Sequence, residues 1–145
     1  MIWLLRHGEA EDGSPDPERR LTPKGEDQAR AAGAALKRLG VRLDGCLSSP
    51  KVRARDTARL ACEYLGAEFS EDRRLEGGPF DLGEVAADAG EEVLLVGHDP
   101  DFSMAVHGAT GAQVRMPKGG LAGVDRGELK VLLRPKDLQA LAQRD

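Results

Sequence analysis

Two short runs, Ile2–Leu5 ("IWLL") and Val93–Val96 ("VLLV"), are apolar at every position instead of alternating with polar residues. A strand with one wet face alternates, whereas a strand apolar throughout is covered on both faces, as the inner strands of a parallel sheet are. Such a sheet needs helices on both sides, and the intervening segments supply them. "LTPKGEDQARAAGAALKRLG" predicts a helix with Thr22 as N-cap, Pro23 at the first helical position and Gly40 as the stop. "VRLDGCLSSP" predicts a strand ending at Leu47 or Ser48, and "SSPKVRARDTARLACEYLG" a helix capped by Ser49, with Pro50 next and Gly66 closing it. Ala67–Phe69 is a candidate strand, "LGEVAADA" a short helix, and a further helix is expected to start near Asp99. The tail predicts two strands, "GLAGVDR" and "ELKVLLRP", split by a turn at Gly127, and a final helix from Pro135. This rhythm predicts an α/β fold, a three-layer sandwich in which helices flank a mostly parallel central sheet. At 145 residues the expectation is one domain spanning residues 1–145.

Charge and cysteine usage exclude several function classes. The formal net charge is −4, so there is no overall basic footprint for nucleic acid, and any anion site must be local. No apolar run approaches the length of a membrane span, and the N-terminus lacks a basic stretch followed by an apolar core and a cleavage site. A cytoplasmic protein with no membrane partner is expected. Cys46 and Cys62 sit in apolar segments without ligand spacing, so they read as small buried hydrophobes, and no metal or cofactor site is expected. Nothing in the sequence specifies an oligomeric state.

In open α/β sheets, ligands bind outside the carboxyl ends of the strands. Three predicted strands end in polar residues of chemical interest: Arg6-His7-Gly8, then Ser48-Ser49-Pro50 leading to Arg53, and Gly97-His98-Asp99. If these strands are parallel neighbours, two histidines and at least two arginines meet at one edge. Such a set fits a multiply charged oxyanion, because planar guanidinium groups clamp phosphate oxygens bidentately. Taken singly, each motif has a plainer reading: a solvated strand end, a capped core histidine, or a basic helix whose arginines pair with Asp56 and Glu63. It is their coincidence at one structural place that points to a site.

The blocks "LLRHGEA", "RRLTPKG", "SSPKVRARDTA" and "VLLVGHDPDFS", in this order, resemble the histidine phosphatase superfamily, which includes the cofactor-dependent phosphoglycerate mutases. The RHG opening, the "R-x-LT-x-x-G" block and the segment Met116–Ala122 ("MPKGGLA") are most similar to the SixA-type phosphohistidine phosphatases. Larger relatives insert a helical cap; only 44 residues separate Arg53 from His98 here, so no cap domain is expected.

The resemblance implies that His7 is a nucleophile that becomes a covalent phosphohistidine, with Arg6, Arg53 and His98 holding the phosphoryl oxygens. Positive charge from Arg6 and Arg53 is expected to keep His7 unprotonated, since imidazole attacks only when neutral. The Arg-Ala-x-x-Thr pattern selects Arg53, with Ala54 and Thr57; Arg55 lies about 200° round the helix and reads as exposed. Arg19 matches a position near the phosphate in SixA-type proteins, although Arg20 beside it is equally cationic. Glu76 matches the proton donor of relatives by approximate location alone, and Glu9 lies close in sequence but can point elsewhere. His107 reads as a helical residue outside the site, and Lys118 as either a rim residue or a solvated turn lysine. A phosphohistidine substrate lessens the need for an acid, because its P–N bond breaks to a neutral imidazole once the leaving nitrogen is protonated, which solvent or a proton carried by the substrate can do. The implied activity is a metal-independent phosphatase acting on a phosphorylated protein, a phosphohistidine domain above all. A broad small-molecule phosphomonoesterase and a non-catalytic phosphate-binding module are the alternatives.

Overall fold

The structure, a computed structural model, describes residues 1–143. In chain order the elements are β1 (Ile2–Arg6), α1 (Pro23–Arg38), β2 (Gly45–Ser48), α2 (Val52–Leu65), β3 (Ser70–Glu71), α3 (Leu82–Ala87), β4 (Val93–Gly97), α4 (Asp101–Thr110), β5 (Leu121–Asp125), β6 (Glu128–Leu133) and α5 (Pro135–Ala142). They form a six-stranded sheet in the order β3-β2-β4-β1-β5-β6. The first four strands of that order are parallel, while β5 and β6 are antiparallel additions. The sheet is therefore mostly parallel, and both wholly apolar runs lie in its middle.

Each face of the sheet has its own apolar layer. Trp3, Leu5, Leu94 and Val96 pack with Ala32 and Leu36 of α1, Ala58 and Ala61 of α2, and Leu138 of α5. Leu4 and Leu95 point the other way, against Leu82 and Val85 of α3 and Phe102 and Val106 of α4. This is why β1 and β4 show no polar alternation: successive residues face opposite layers, and both layers are dry. Thr22 caps α1 by accepting from the Gly25 N–H, and Gly40 closes it at φ 79°. Arg126 and Gly127, both at positive φ, make the turn between β5 and β6.

Three boundaries differ from expectation. The strand after α2 is Ser70–Glu71 rather than Ala67–Phe69, paired with Leu47 and Ser48. The Ala67 N–H is already used on the Cys62 carbonyl to close α2, and Phe69 packs on the core. The helix after β2 starts at Val52 with Lys51 as N-cap, not at Pro50 with Ser49 as cap. The Ser49 hydroxyl is instead engaged by the Lys51 N–H and by His98. Finally, α4 starts at Asp101, two residues later than expected, although the Asp99 carboxylate still accepts from the Ser103 N–H.

Candidate active site

Register alone assembles the site. Arg6 pairs with Gly97 and Ser48 with Val96, so the next residues, His7, His98 and Ser49, emerge together at the carboxyl edge. The His7 N–H donates to the Gly97 carbonyl and the Ser49 N–H to the Val96 carbonyl, which carries the ladder one residue past each strand. The two imidazole rings lie 5.2 Å apart between centroids, tilted by 58°. Both histidines are almost completely buried, at 5% and 6% exposure.

Glycine lets the first loop reach this position. A side chain on Gly8 would collide with the Gly25 backbone, and one on Gly25 would collide with Glu9, so the Arg-His-Gly turn and the start of α1 pack backbone to backbone. Thr57 fastens the same turn from α2: its hydroxyl donates to the Arg53 carbonyl at 2.7 Å and accepts from the Gly8 N–H at 3.1 Å. The Met116–Gly120 segment closes the other side. The Gly119 N–H is shared by the Arg6 and His7 carbonyls, and Arg6 Nη1 donates to the Met116 carbonyl at 2.8 Å.

Hydrogen bonding sets the state of His7. Its Nδ1 lies 2.7 Å from the Gly8 carbonyl, which can only accept, so Nδ1 carries the proton and Nε2 of the neutral ring holds the lone pair. The His7 pKa is lowered to about 4, first by burial and then by the positive charges of Arg53, Arg6 and Lys118. The arginines thus act as expected, but desolvation does more. The His98 pKa is lowered to about 3, again mainly by burial, with His7, Arg53 and Lys51 adding to it. His98 Nε2 meets the Ser49 hydroxyl at 2.8 Å, while its Nδ1, like Nε of Arg6, is a buried polar atom without a protein partner.

The cavity over these groups measures about 330 Å³ and is lined by Arg6, His7, Arg19, Lys51, Arg53, Glu76, Gly77, His98, Asp99, Asp101 and Lys118. All six residues singled out from the sequence border it: His7, His98, Arg6, Arg53, Arg19 and Glu76. Lys118 belongs to the rim, whereas Arg20 and Arg55 line a separate recess of about 590 Å³. Arg55 is half-buried there rather than exposed. Glu9 turns away, its carboxylate accepting from the Thr22 hydroxyl at the head of α1. His107 is exposed near the end of α4, with Nδ1 3.2 Å from the Ala112 carbonyl.

Sequence reasoning missed Lys51 and Asp101 on the cavity wall, and it noted Asp99 at a strand end without giving it a role. Lys51 and Asp99 lie about three residues beyond predicted strand ends, a positional signal that was available. Among the described residues no three His, Cys, Asp or Glu side chains gather into a metal-holding cluster. No helix among them is long and apolar enough to cross a membrane.

Residues 2–93 match the model of the histidine phosphatase superfamily, branch 1. The chain is 33% identical to an uncharacterized protein of Picosynechococcus sp. over 90% of its own length and 87% of that protein's. A 2,3-bisphosphoglycerate-dependent phosphoglycerate mutase of Methylobacterium sp. is 42% identical over 46% of this chain, a match that spans only 34% of the mutase. Among solved structures, the protein histidine phosphatase SixA complexed with tungstate superposes with a TM-score of 0.80 at 24% identity, covering 94% of this chain and 98% of that one. A phosphoserine phosphatase from Entamoeba histolytica, in complex with 3-phosphoglyceric acid, superposes with a TM-score of 0.71 at 16% identity over 94% and 98% of the two chains.

Proposed function

The chain belongs to the histidine phosphatase superfamily, and on that premise we propose that it is a phosphatase working through a covalent phosphohistidine on His7, with phosphohistidine on a protein as favoured substrate. The observation that carries this reading is the state of His7: buried, neutral, with Nδ1–H held by a carbonyl and Nε2 in the tautomer needed for attack. Nε2 bonds to phosphorus as the leaving nitrogen or oxygen departs with its electron pair and takes up a proton; water then cleaves the new N–P bond and releases phosphate. Arg6, Arg19, Arg53, Lys51 and Lys118 neutralise the phosphoryl oxygens. If the Ser49 hydroxyl donates to His98 Nε2, the proton of the neutral ring sits on Nδ1, the buried atom free to donate to a phosphoryl oxygen. Glu76 serves as the proton donor for poorer leaving groups. The likeness in fold to the SixA protein histidine phosphatase supports a phosphohistidine substrate.

One observation favours the small-molecule reading. Glu76, Asp99 and Asp101 all border the cavity, and a carboxylic acid there would protonate an alkoxide leaving group. Rates on a phosphohistidine-bearing protein and on sugar phosphates separate the two. His7→Ala is expected to abolish both turnover of an aryl phosphate and acid-labile phosphate labelling of the protein. Turnover at the wild-type rate in that variant would sink the mechanism, and a wild-type protein that binds phosphate without turnover would be a binding module.

A further inference from the structure

Arg19 borders the cavity from the loop before α1, and Lys51 and Arg53 border it from the start of α2; one side chain joins all three. The Asp16 carboxylate lies 2.9 Å from Arg19 Nη1, 3.2 Å from Arg53 Nη2 and 3.6 Å from Lys51 Nζ. Its backbone carbonyl also accepts from Arg53 Nη1 at 2.9 Å. Asp16 itself is not among the residues lining the cavity.

From this juxtaposition we infer that Asp16 is a positioning residue, which aims the guanidinium groups of Arg53 and Arg19 at the phosphoryl oxygens. A guanidinium has five N–H donors. Asp16 engages one on each terminal nitrogen of Arg53, which leaves three for an oxyanion. Arg19 is tethered twice, by Nη1 to Asp16 and by Nε to the Glu11 carbonyl at 2.8 Å. A long arginine loses rotamer freedom when it binds a ligand, and an arginine already held by a carboxylate has lost it beforehand. The strut is stiff as well, since Asp16 lies between Pro15 and Pro17, whose rings fix φ on either side, within the 3-10 turn Asp16–Glu18. The carboxylate stays ionised throughout the working range: its pKa is lowered to about 2 by the Arg19 hydrogen bond and by Arg53.

The inference rests on the phosphate-binding role proposed above, and the sign of one measurement tests it. Removing a negative charge behind a cationic site strengthens anion binding if Asp16 is only a counter-ion. It weakens binding if Asp16 aims the arginines. Calorimetric titration of the whole chain with inorganic phosphate is the assay, alongside kcat and KM for an aryl phosphate. Asp16→Asn is expected to weaken phosphate binding about tenfold, the scale of losing one charge-assisted hydrogen bond. Asp16→Glu, which keeps the charge on a longer arm, is expected to recover a good part of that loss. Phosphate bound as tightly as, or more tightly than, by wild type in Asp16→Asn overturns the inference, and so does a Glu variant no better than the Asn one. Wild-type protein that neither binds phosphate nor turns over the aryl phosphate would instead overturn the proposed function.

Discussion

Thr57→Val tests whether the turn carrying His7 is held by the bonds described above. Thr57 is fully buried, and its hydroxyl is the partner of the buried Gly8 N–H. Valine keeps the branched shape but removes the acceptor. The Arg53 carbonyl loses a second donor and remains within the hydrogen-bonding pattern of α2, whereas the Gly8 N–H is left unpaired. A buried donor stranded in this way costs about 1–3 kcal/mol, which for a domain of this size lowers the melting temperature by roughly 3–12 °C. Urea unfolding followed by the fluorescence of Trp3, the single tryptophan and a buried one, reads the loss. The kinetic consequence is separable. The Gly8 carbonyl holds the His7 Nδ1–H, so a loosened turn mixes the tautomers, and kcat is expected to fall by about tenfold even in the fraction that stays folded. Thr57→Ser keeps the hydroxyl and is expected to retain most of both properties. A valine variant destabilised by less than about 0.5 kcal/mol, the noise of a surface change, with kcat unchanged, would refute the account of the turn.

Three further outcomes follow from the same geometry. Gly25→Ala drives a methyl into the Glu9 backbone and is expected to cost about 1–3 kcal/mol or more by urea unfolding; a neutral variant would mean that the α1 start and the Arg-His-Gly turn are not in contact. The His7 and His98 pKa values, about 4 and about 3, lie below the usual value near 6.5, so below pH 6.5 the unfolded chain takes up protons that the folded chain refuses. Stability is accordingly complete above that value and falls as pH drops toward 3, with the acidic limb of kcat/KM near pH 4, set by His7; an acidic limb near pH 6.5 would contradict a neutral buried nucleophile. Arg53→Ala is expected to lower kcat/KM by about a hundredfold while Arg55→Ala leaves it within about twofold, since only Arg53 borders the cavity; equal effects would show that the two were misassigned.

Much of the site was legible because its carriers are local patterns. The strands that deliver His7 and His98 announce themselves by apolar runs ending in polar residues, and the shorter one that delivers Ser49 by the Ser-Ser-Pro at its end. The Arg-Ala-x-x-Thr spacing puts Arg53 and Thr57 one helical turn apart, and the structure shows why that spacing works: one residue borders the cavity while the other fastens the turn bearing His7. Arg19 and Arg20 were equivalent as letters, and only the position of the loop separated them into different cavities. Ser49 has the composition of a helix cap, but its hydroxyl is shared between the Lys51 N–H and a histidine 49 residues away, and the helix begins only at Val52.

The sequence by itself determined the layers of this fold, the parallel middle of its sheet and the edge at which the reactive residues emerge. Hydrophobic period, capping and glycine placement are short-range constraints, and a few neighbouring residues suffice to state them. Only the tertiary structure decided the chemistry of those residues. The His7 tautomer depends on its own turn being pinned by α1 and α2, and its low pKa depends mainly on how deeply the surrounding layers bury it. The aim of Arg53 depends on Asp16, 37 residues earlier in a proline-bounded loop that carries no pattern of its own. Ionisation and hydrogen-bond direction respond to everything within a few ångströms in space, and that neighbourhood exists only once the chain has closed on itself.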